Sequence, residues 1–176
     1  MEAALETVSS KNGSGRPLDF MRGKFKDKIL AEQLTCDGIP TLWVERQHLI
    51  ECLKLLRDES TPCFEMLFDI TGIDERMRVH RADQPASEFS VVYHLMSFSG
   101  NCDFRIKVPL MDADLNIPSI VSLWPAANWY EREAWDMFGI NFEGHPNLYR
   151  IVLPPTWEGH ALRKEHPARA TEMEPF

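Results

Sequence analysis

The alternation of apolar residues between positions 89 and 110 restricts the possible folds of this chain more than any other feature. Apolar side chains recur at every second position in two runs, Phe89, Val91, Tyr93 and Leu95 in the first and Phe104, Ile106 and Val108 in the second. This period places the side chains of each run on one face of a β-strand. Gly100-Asn101, between the runs, predicts a turn. The segment therefore predicts a β-hairpin with one buried face.

The rest of the chain predicts a succession of short helices and strands. Apolar spacing and turn residues predict a helix at 17–28, a hairpin of 29–35 with 41–44, a helix at 47–57, a strand at 64–70, a surface loop at 74–85, and helices at 119–124 and 129–138. Strands joined by tight turns pair antiparallel. The order therefore predicts an α+β fold, with a mostly antiparallel sheet, helices packed on one face, and an extended C-terminal tail.

The 176 residues are predicted to form one folded domain between two less regular segments. Residues 1–16 are rich in Ser, Gly, Lys and Glu without an apolar period, so we expect disorder there. Residues 17–143 carry the periodic segments and form the α+β domain. Residues 144–176 contain recurrent prolines, and we expect an extended docking tail that is ordered only where it lies on another surface.

The helix predicted at 129–138 has clear signals at both ends. Asn128 is predicted as its N-cap, and Gly139 as the left-handed residue that ends it. Arg132 and Asp136 are four residues apart, which predicts an ion pair on the helix surface. Large aromatic residues lie on two sides of this helix, so we expect it to be held between its own domain and a second protein.

Charge and hydropathy exclude two classes of partner. The net charge of −8 disfavours binding to nucleic-acid phosphates. The longest uncharged run, residues 115–130, contains two prolines and is shorter than the roughly 20 residues that span a bilayer. Any contact with a membrane is therefore expected to be indirect, through a partner.

The four cysteines are expected to be structural. They are scattered without a Cys-x-x-Cys pair, at Cys36, Cys52, Cys63 and Cys102. Zinc and iron–sulfur sites need clustered thiolates. We therefore predict buried, reduced cysteines of a cytosolic protein, and no metal or cofactor in this chain.

Residues 131–146 carry the strongest sequence motif. They read Glu-Arg-Glu-Ala-Trp-Asp-Met-Phe-Gly-Ile-Asn-Phe-Glu-Gly-His-Pro. This run resembles, at every fixed position, the signature of the C subunit of respiratory complex I, known in mitochondria as the 30-kilodalton subunit. The resemblance continues through the tail and covers most of the chain from about residue 35, although Ala161 stands where the family has proline. Residues 167–176 resemble the junction of bacterial forms in which the C and D subunits are one polypeptide.

The resemblance implies a place in an assembly. The C subunit belongs to the hydrophilic arm of proton-pumping NADH:quinone oxidoreductase, on the cytoplasmic side of the bacterial inner membrane, where it supports the D subunit near the quinone site. The implied partners are the D subunit and neighbouring iron–sulfur subunits. FMN, iron–sulfur clusters, NADH and quinone would be bound by other subunits, so no catalytic activity is expected of the isolated chain. The implied partner interface consists of Glu131, Arg132, Trp135, Asp136, Phe138, His145, Arg150, Trp157, Arg163 and Lys164.

Two other functions stay open at this point. The same module could serve a related membrane-bound hydrogenase or another dehydrogenase. A stand-alone metal-dependent hydrolase would use His145, His160 and His166 with nearby carboxylates, but their spacing matches no helical metal motif.

Overall fold

A computed structural model describes residues 15–33, 35–80 and 84–166. The helices and strands are α1 (Gly15–Phe25), β1 (Ile29–Gln33), β2 (Thr41–Val44), α2 (Leu49–Lys54), β3 (Met66–Asp74), β4 (Phe89–Ser97), β5 (Cys102–Leu110), β6 (Asn116–Pro118), α3 (Ala127–Phe138) and β7 (Asn141–Glu143). A π-helical turn, Leu55–Glu59, extends α2. The disorder predicted for residues 1–16 lies outside the described residues, apart from 15 and 16, which belong to α1. Residues 167–176 of the predicted tail also lie outside them.

Five strands form the main sheet, in the order β1-β2-β5-β4-β3. The predicted hairpin is confirmed, because β4 and β5 pair antiparallel from Phe89 opposite Leu110 to Ser97 opposite Cys102. β1 with β2 and β3 with β4 are also antiparallel, whereas β2 and β5 are parallel. The α+β class with a mostly antiparallel sheet is therefore confirmed. The short strands β6 and β7 form a separate parallel pair.

The core lies on one face of the main sheet. Alternate residues of β4 and β5 are fully buried there, as their period predicts. Helix α1 adds Met21 and Phe25 to the same cluster. The apolar stripe predicted for the second helix is confirmed, since it is fully buried at Leu49, Cys52, Leu53 and Leu56. Burial of each large apolar side chain contributes about 1.5–3 kcal/mol, so the helices and the sheet stabilise each other.

The helix predicted at 119–124 is wrong. Residues 116–118 form strand β6, which pairs with β7, and a turn follows at 121–123. In this turn, the backbone N–H groups of Leu123 and Trp124 both donate to the carbonyl of Ile120. An apolar run this short carries too little periodicity to distinguish a helix from other structure.

The boundaries predicted for the strand at 64–70 and the following surface loop are also wrong. Strand β3 continues to Asp74, whose side chain is buried. Nη2 of Arg76 and the backbone N–H of Lys164 donate to its Oδ2 at 2.5 and 2.8 Å. A carboxylate can be buried when donors of this kind replace water.

Helix α3 begins two residues earlier than predicted. Asn128 lies inside it, and none of the described side chains caps the first turn, so the Asn128 N-cap is wrong. Successive turns beginning at Trp124 supply carbonyl acceptors for the first N–H groups instead. Gly139 has φ 78° and ends the helix in the left-handed conformation, as predicted.

The cysteines are all free, but they are not equally buried. Cys52 and Cys102 are buried and Cys63 is half-buried, whereas Cys36 is exposed in the turn between β1 and β2. The prediction of burial is therefore wrong for Cys36.

None of the helices in the described ranges has the length and apolar character needed to cross a bilayer.

Candidate docking surface around helix α3

Asp136 joins the tail to helix α3. Its side chain is fully buried, and Oδ2 accepts hydrogen bonds from the backbone N–H groups of Ile151, Val152 and Leu153 at 3.1, 2.9 and 3.0 Å. Nη1 of Arg150 donates to Oδ1 at 2.5 Å. Burial by itself would raise the pKa of Asp136, but these donors outweigh burial and lower it. The carboxylate is therefore a structural anion within the chain.

The ion pair predicted between Arg132 and Asp136 does not form. The guanidinium carbon of Arg132 lies 3.5 Å from the ring centre of Tyr149 and 4.9 Å from that of Trp129. Its Nε donates to the backbone carbonyl of Tyr149 at 3.1 Å. Arg132 is 4% exposed, while Trp129 and Tyr149 are 62% and 50% exposed. The tail saturates Asp136, and this leaves Arg132 free to stack between two surface aromatic rings.

Further along, the tail runs back across the C-terminal end of α3. The backbone N–H of Leu162 donates to the carbonyl of Met137 at 3.0 Å, and Nε of Arg163 donates to that of Phe138 at 2.7 Å. These donors satisfy carbonyls that a helix leaves free at its C-terminus. The surface on which residues 144–166 lie is therefore their own domain.

Glu131 is the most unusual titratable group of α3. It is fully buried, and its carboxylate accepts hydrogen bonds from Oγ of Ser119 and the backbone N–H of Ile120, both at 2.6 Å. Burial raises the pKa of Glu131 to about 7, against the lowering effect of these two donors. Burial, with the charge of Glu131 as a second cause, also raises the pKa of Tyr93. The Tyr93 hydroxyl is buried without a hydrogen-bond partner among the described residues.

Replacing Glu131 with glutamine is expected to change how stability depends on pH. The native pKa of about 7 exceeds the ordinary value of 4.5, so wild-type stability falls as the pH rises through this window. Glutamine cannot ionise, and the variant should gain about 2 kcal/mol relative to wild type between about pH 5 and about pH 8. Urea denaturation at the two pH values measures this gain.

The matched control for that experiment is Glu133→Gln, which changes an exposed carboxylate of the same helix. It should follow the wild-type pH dependence. An equal gain in both variants would show that burial of Glu131 is not the cause.

The ten residues of the predicted interface differ in how deeply their side chains are buried. Four side chains are buried by the chain itself, namely Glu131, Arg132, Asp136 and Phe138. Five are half-buried, namely Trp135, His145, Arg150, Trp157 and Arg163, and Lys164 is exposed. Phe138 packs on β3 so closely that a Cβ at Gly72 would lie 2.6 Å from its ring. The interface role of these residues stays a prediction.

Sequence reasoning missed the exposed residues beside this set. Tyr149, Val152 and Leu162 are among the large apolar side chains at the surface. No periodic pattern marks them, because the tail is neither helix nor strand. The sequence could have indicated them only indirectly, because apolar residues are unusual in a proline-rich segment that carries several charges.

The histidines of the alternative metal site serve other contacts. Nε2 of His145 lies 3.1 Å from the carbonyl oxygen of Asn128, and Nδ1 of His160 lies 3.0 Å from that of Asp136. His166 stacks against Trp157, with ring centres 5.5 Å apart. In the described ranges, no group of three or more His, Cys, Asp or Glu side chains could hold a metal ion.

The fold and these contacts define a class of protein. It is an α+β domain in which the buried carboxylate of Asp136 holds the C-terminal tail across helix α3. The chain belongs to the family of the respiratory-chain NADH dehydrogenase 30 Kd subunit, whose model matches residues 42–172.

Two relatives are both named as the C/D subunit of NADH-quinone oxidoreductase. The protein of Nitrosospira multiformis is 62% identical over 82% of this chain, and that of Methylococcus capsulatus is 56% identical over 87%. This chain covers 24% and 26% of those two proteins, about a quarter of their length. Among solved structures, a trypsin-resistant fragment of Nqo5 matches 76% of this chain and 98% of its own length, with a TM-score of 0.60 and 29% identity.

Proposed function

We propose that this chain is a structural subunit of proton-pumping NADH:quinone oxidoreductase and that it supports the D subunit. Membership of the 30 Kd subunit family carries this proposal. The relatives with the C/D name support the choice of partner, because in them the counterpart of this chain is part of a longer polypeptide that also bears the D name. Two halves of one polypeptide meet at a high effective concentration.

The tail and α3 are the proposed docking surface. Glu131, Asp136 and Phe138 are covered by the chain itself, so their role is to hold the surface in shape. Direct contact falls to Arg132, through its guanidinium, and to the half-buried and exposed residues from Trp135 to Lys164. A surface that is ordered before binding loses less conformational entropy when the partner arrives.

The chemistry of the complex is assigned to other subunits. FMN, iron–sulfur clusters, NADH and quinone would bind there, and neighbouring iron–sulfur subunits would be secondary partners. The chain would sit peripherally, on the cytoplasmic side of the bacterial inner membrane, and reach the membrane only through the complex. The isolated chain is expected to turn over no substrate.

Co-expression with the D subunit tests the proposal. An affinity tag on this chain should retain the D subunit in a 1:1 complex through gel filtration, because the exposed aromatic surface is then covered. Mass spectrometry of the native complex should identify the other subunits of the quinone reductase. Separate elution of two folded subunits would contradict the proposal, and recovery of hydrogenase subunits would favour the alternative assembly.

A further inference from the structure

The guanidinium of Arg132 is held in place without a carboxylate partner among the described residues. Its Nε donates a hydrogen bond to the backbone carbonyl of Tyr149. Its two terminal nitrogens make no hydrogen bond or ion pair with any described residue. By contrast, Arg150 and Arg163 in the same region each lie within 4.0 Å of a carboxylate oxygen, on Asp136 and Asp112 respectively.

This arrangement matches the needs of an incoming carboxylate. Guanidinium presents donors in a planar fork that fits two carboxylate oxygens, and stacking on aromatic faces leaves that fork available. The rings of Trp129 and Tyr149 limit the rotation of the Arg132 side chain, so little further entropy is lost on binding. A nearly buried cation without a partner also loses hydration that a bound anion would replace.

The surroundings favour a protein as the source of that carboxylate. Trp129 and Tyr149 flank the arginine with side chains that are 62% and 50% exposed. Tryptophan, tyrosine and arginine are the residue types enriched at binding hot spots. A small anion would leave these apolar side chains in water, whereas a protein surface would cover them.

We propose that Arg132 receives an aspartate or glutamate side chain of the D subunit, and that apolar neighbours of this residue cover Trp129 and Tyr149. The inference rests on the proposed function for the identity of the partner. The net charge of −8 would by itself repel an acidic partner residue. Arg132 supplies the local unpaired cation that makes an acidic contact favourable, and it thereby selects one orientation of the partner.

Arg132→Met in the full chain tests this inference, because methionine keeps most of the stem and removes the charge and the fork. Binding to the purified D subunit, measured by titration calorimetry, should weaken about 30-fold or more, and its salt dependence should decrease. Arg132→Lys keeps the charge without the fork and should lose about 10-fold. Arg22→Met is the matched control, since Arg22 pairs with Asp19 and Glu32 on α1 and β1, and it should bind as wild type does.

The possible results separate the two proposals. Failure of the wild-type chain to bind the D subunit would overturn the proposed function. Binding of wild type and of both Arg132 variants with equal affinity would overturn only the inference about Arg132. Removal of residues 167–176 should leave the effect of Arg132→Met unchanged. Loss of that effect in the shortened chain would assign the carboxylate to Glu172 or Glu174 of this chain and refute a carboxylate from the partner.

Discussion

Replacing Asp136 with alanine is expected to lower the free energy of unfolding by about 3–5 kcal/mol. The substitution removes the partner of Arg150, whose side chain is 15% exposed, and leaves a nearly buried cation without an anion. It also leaves the part-buried N–H groups of residues 151–153 without their acceptor, which adds to the loss to the extent that water cannot reach them. Urea denaturation of the isolated chain at neutral pH measures the loss.

The matched control is Asp58→Ala, which breaks an exposed ion pair with Arg57 at 2.7 Å. That change should cost far less than Asp136→Ala does, because water screens an exposed ion pair. Equal losses in the two variants would show that the tail is not held by Asp136 in solution.

The difference in the free energy of unfolding between wild type and Asp136→Ala should depend on pH. The native pKa of Asp136 lies below its ordinary value of 3.8, so its stabilisation is present above that value and is lost as the pH falls through the lowered pKa. The difference between wild type and Asp136→Ala should therefore shrink in acid. A difference that stays constant down to the acid transition would contradict the assignment.

Replacing Gly139 with alanine is expected to lower the free energy of unfolding by about 2–4 kcal/mol. Its φ of 78° is strained for any residue with a Cβ, and that Cβ would lie 2.7 Å from the His160 ring and 2.8 Å from Nη2 of Arg163. Both side chains would have to move, and Arg163 would be displaced from the carbonyl of Phe138. Thermal or urea unfolding measures the loss.

Gly144→Ala separates the cost of a positive φ from the cost of a steric clash between the new Cβ and the tail. Gly144 has a similar φ of 81°, but no atom of the described residues lies within 4 Å of the position of its missing Cβ. It should therefore show only the backbone cost of about 1–2 kcal/mol. If the two alanine variants were equally stable, the tail would not pack against the end of α3.

Sequence patterns predicted the parts of the fold that depend on neighbours along the chain. The hairpin of β4 and β5 follows from the period of its apolar residues, and the end of α3 follows from Gly139. Strand β6 could not be predicted in the same way, because three residues carry no period and the partner β7 lies beyond the helix.

The site was predicted less completely for the same reason. The family motif indicated Arg132, Asp136 and Arg150, but the helical spacing predicted the wrong pair, since Asp136 binds Arg150. Asp136 is bound by groups 14 to 17 residues away, in a segment without periodic structure. Glu131 was expected at the partner interface, but its carboxylate is buried within the chain. Its donors come from Ser119 and Ile120, whose placement depends on the unexpected strand β6.

The parallel pairing of β2 with β5 has a consequence for how the chain acquires its structure. Thr41 to Trp43 find their backbone partners at Arg105 to Lys107, far along the chain. Such a long loop must close before the contact stabilises anything. During synthesis, the amino-terminal hairpin has no docking site until the ribosome has released β5. The domain should therefore fold late in synthesis and as one cooperative unit, with no independently stable amino-terminal half.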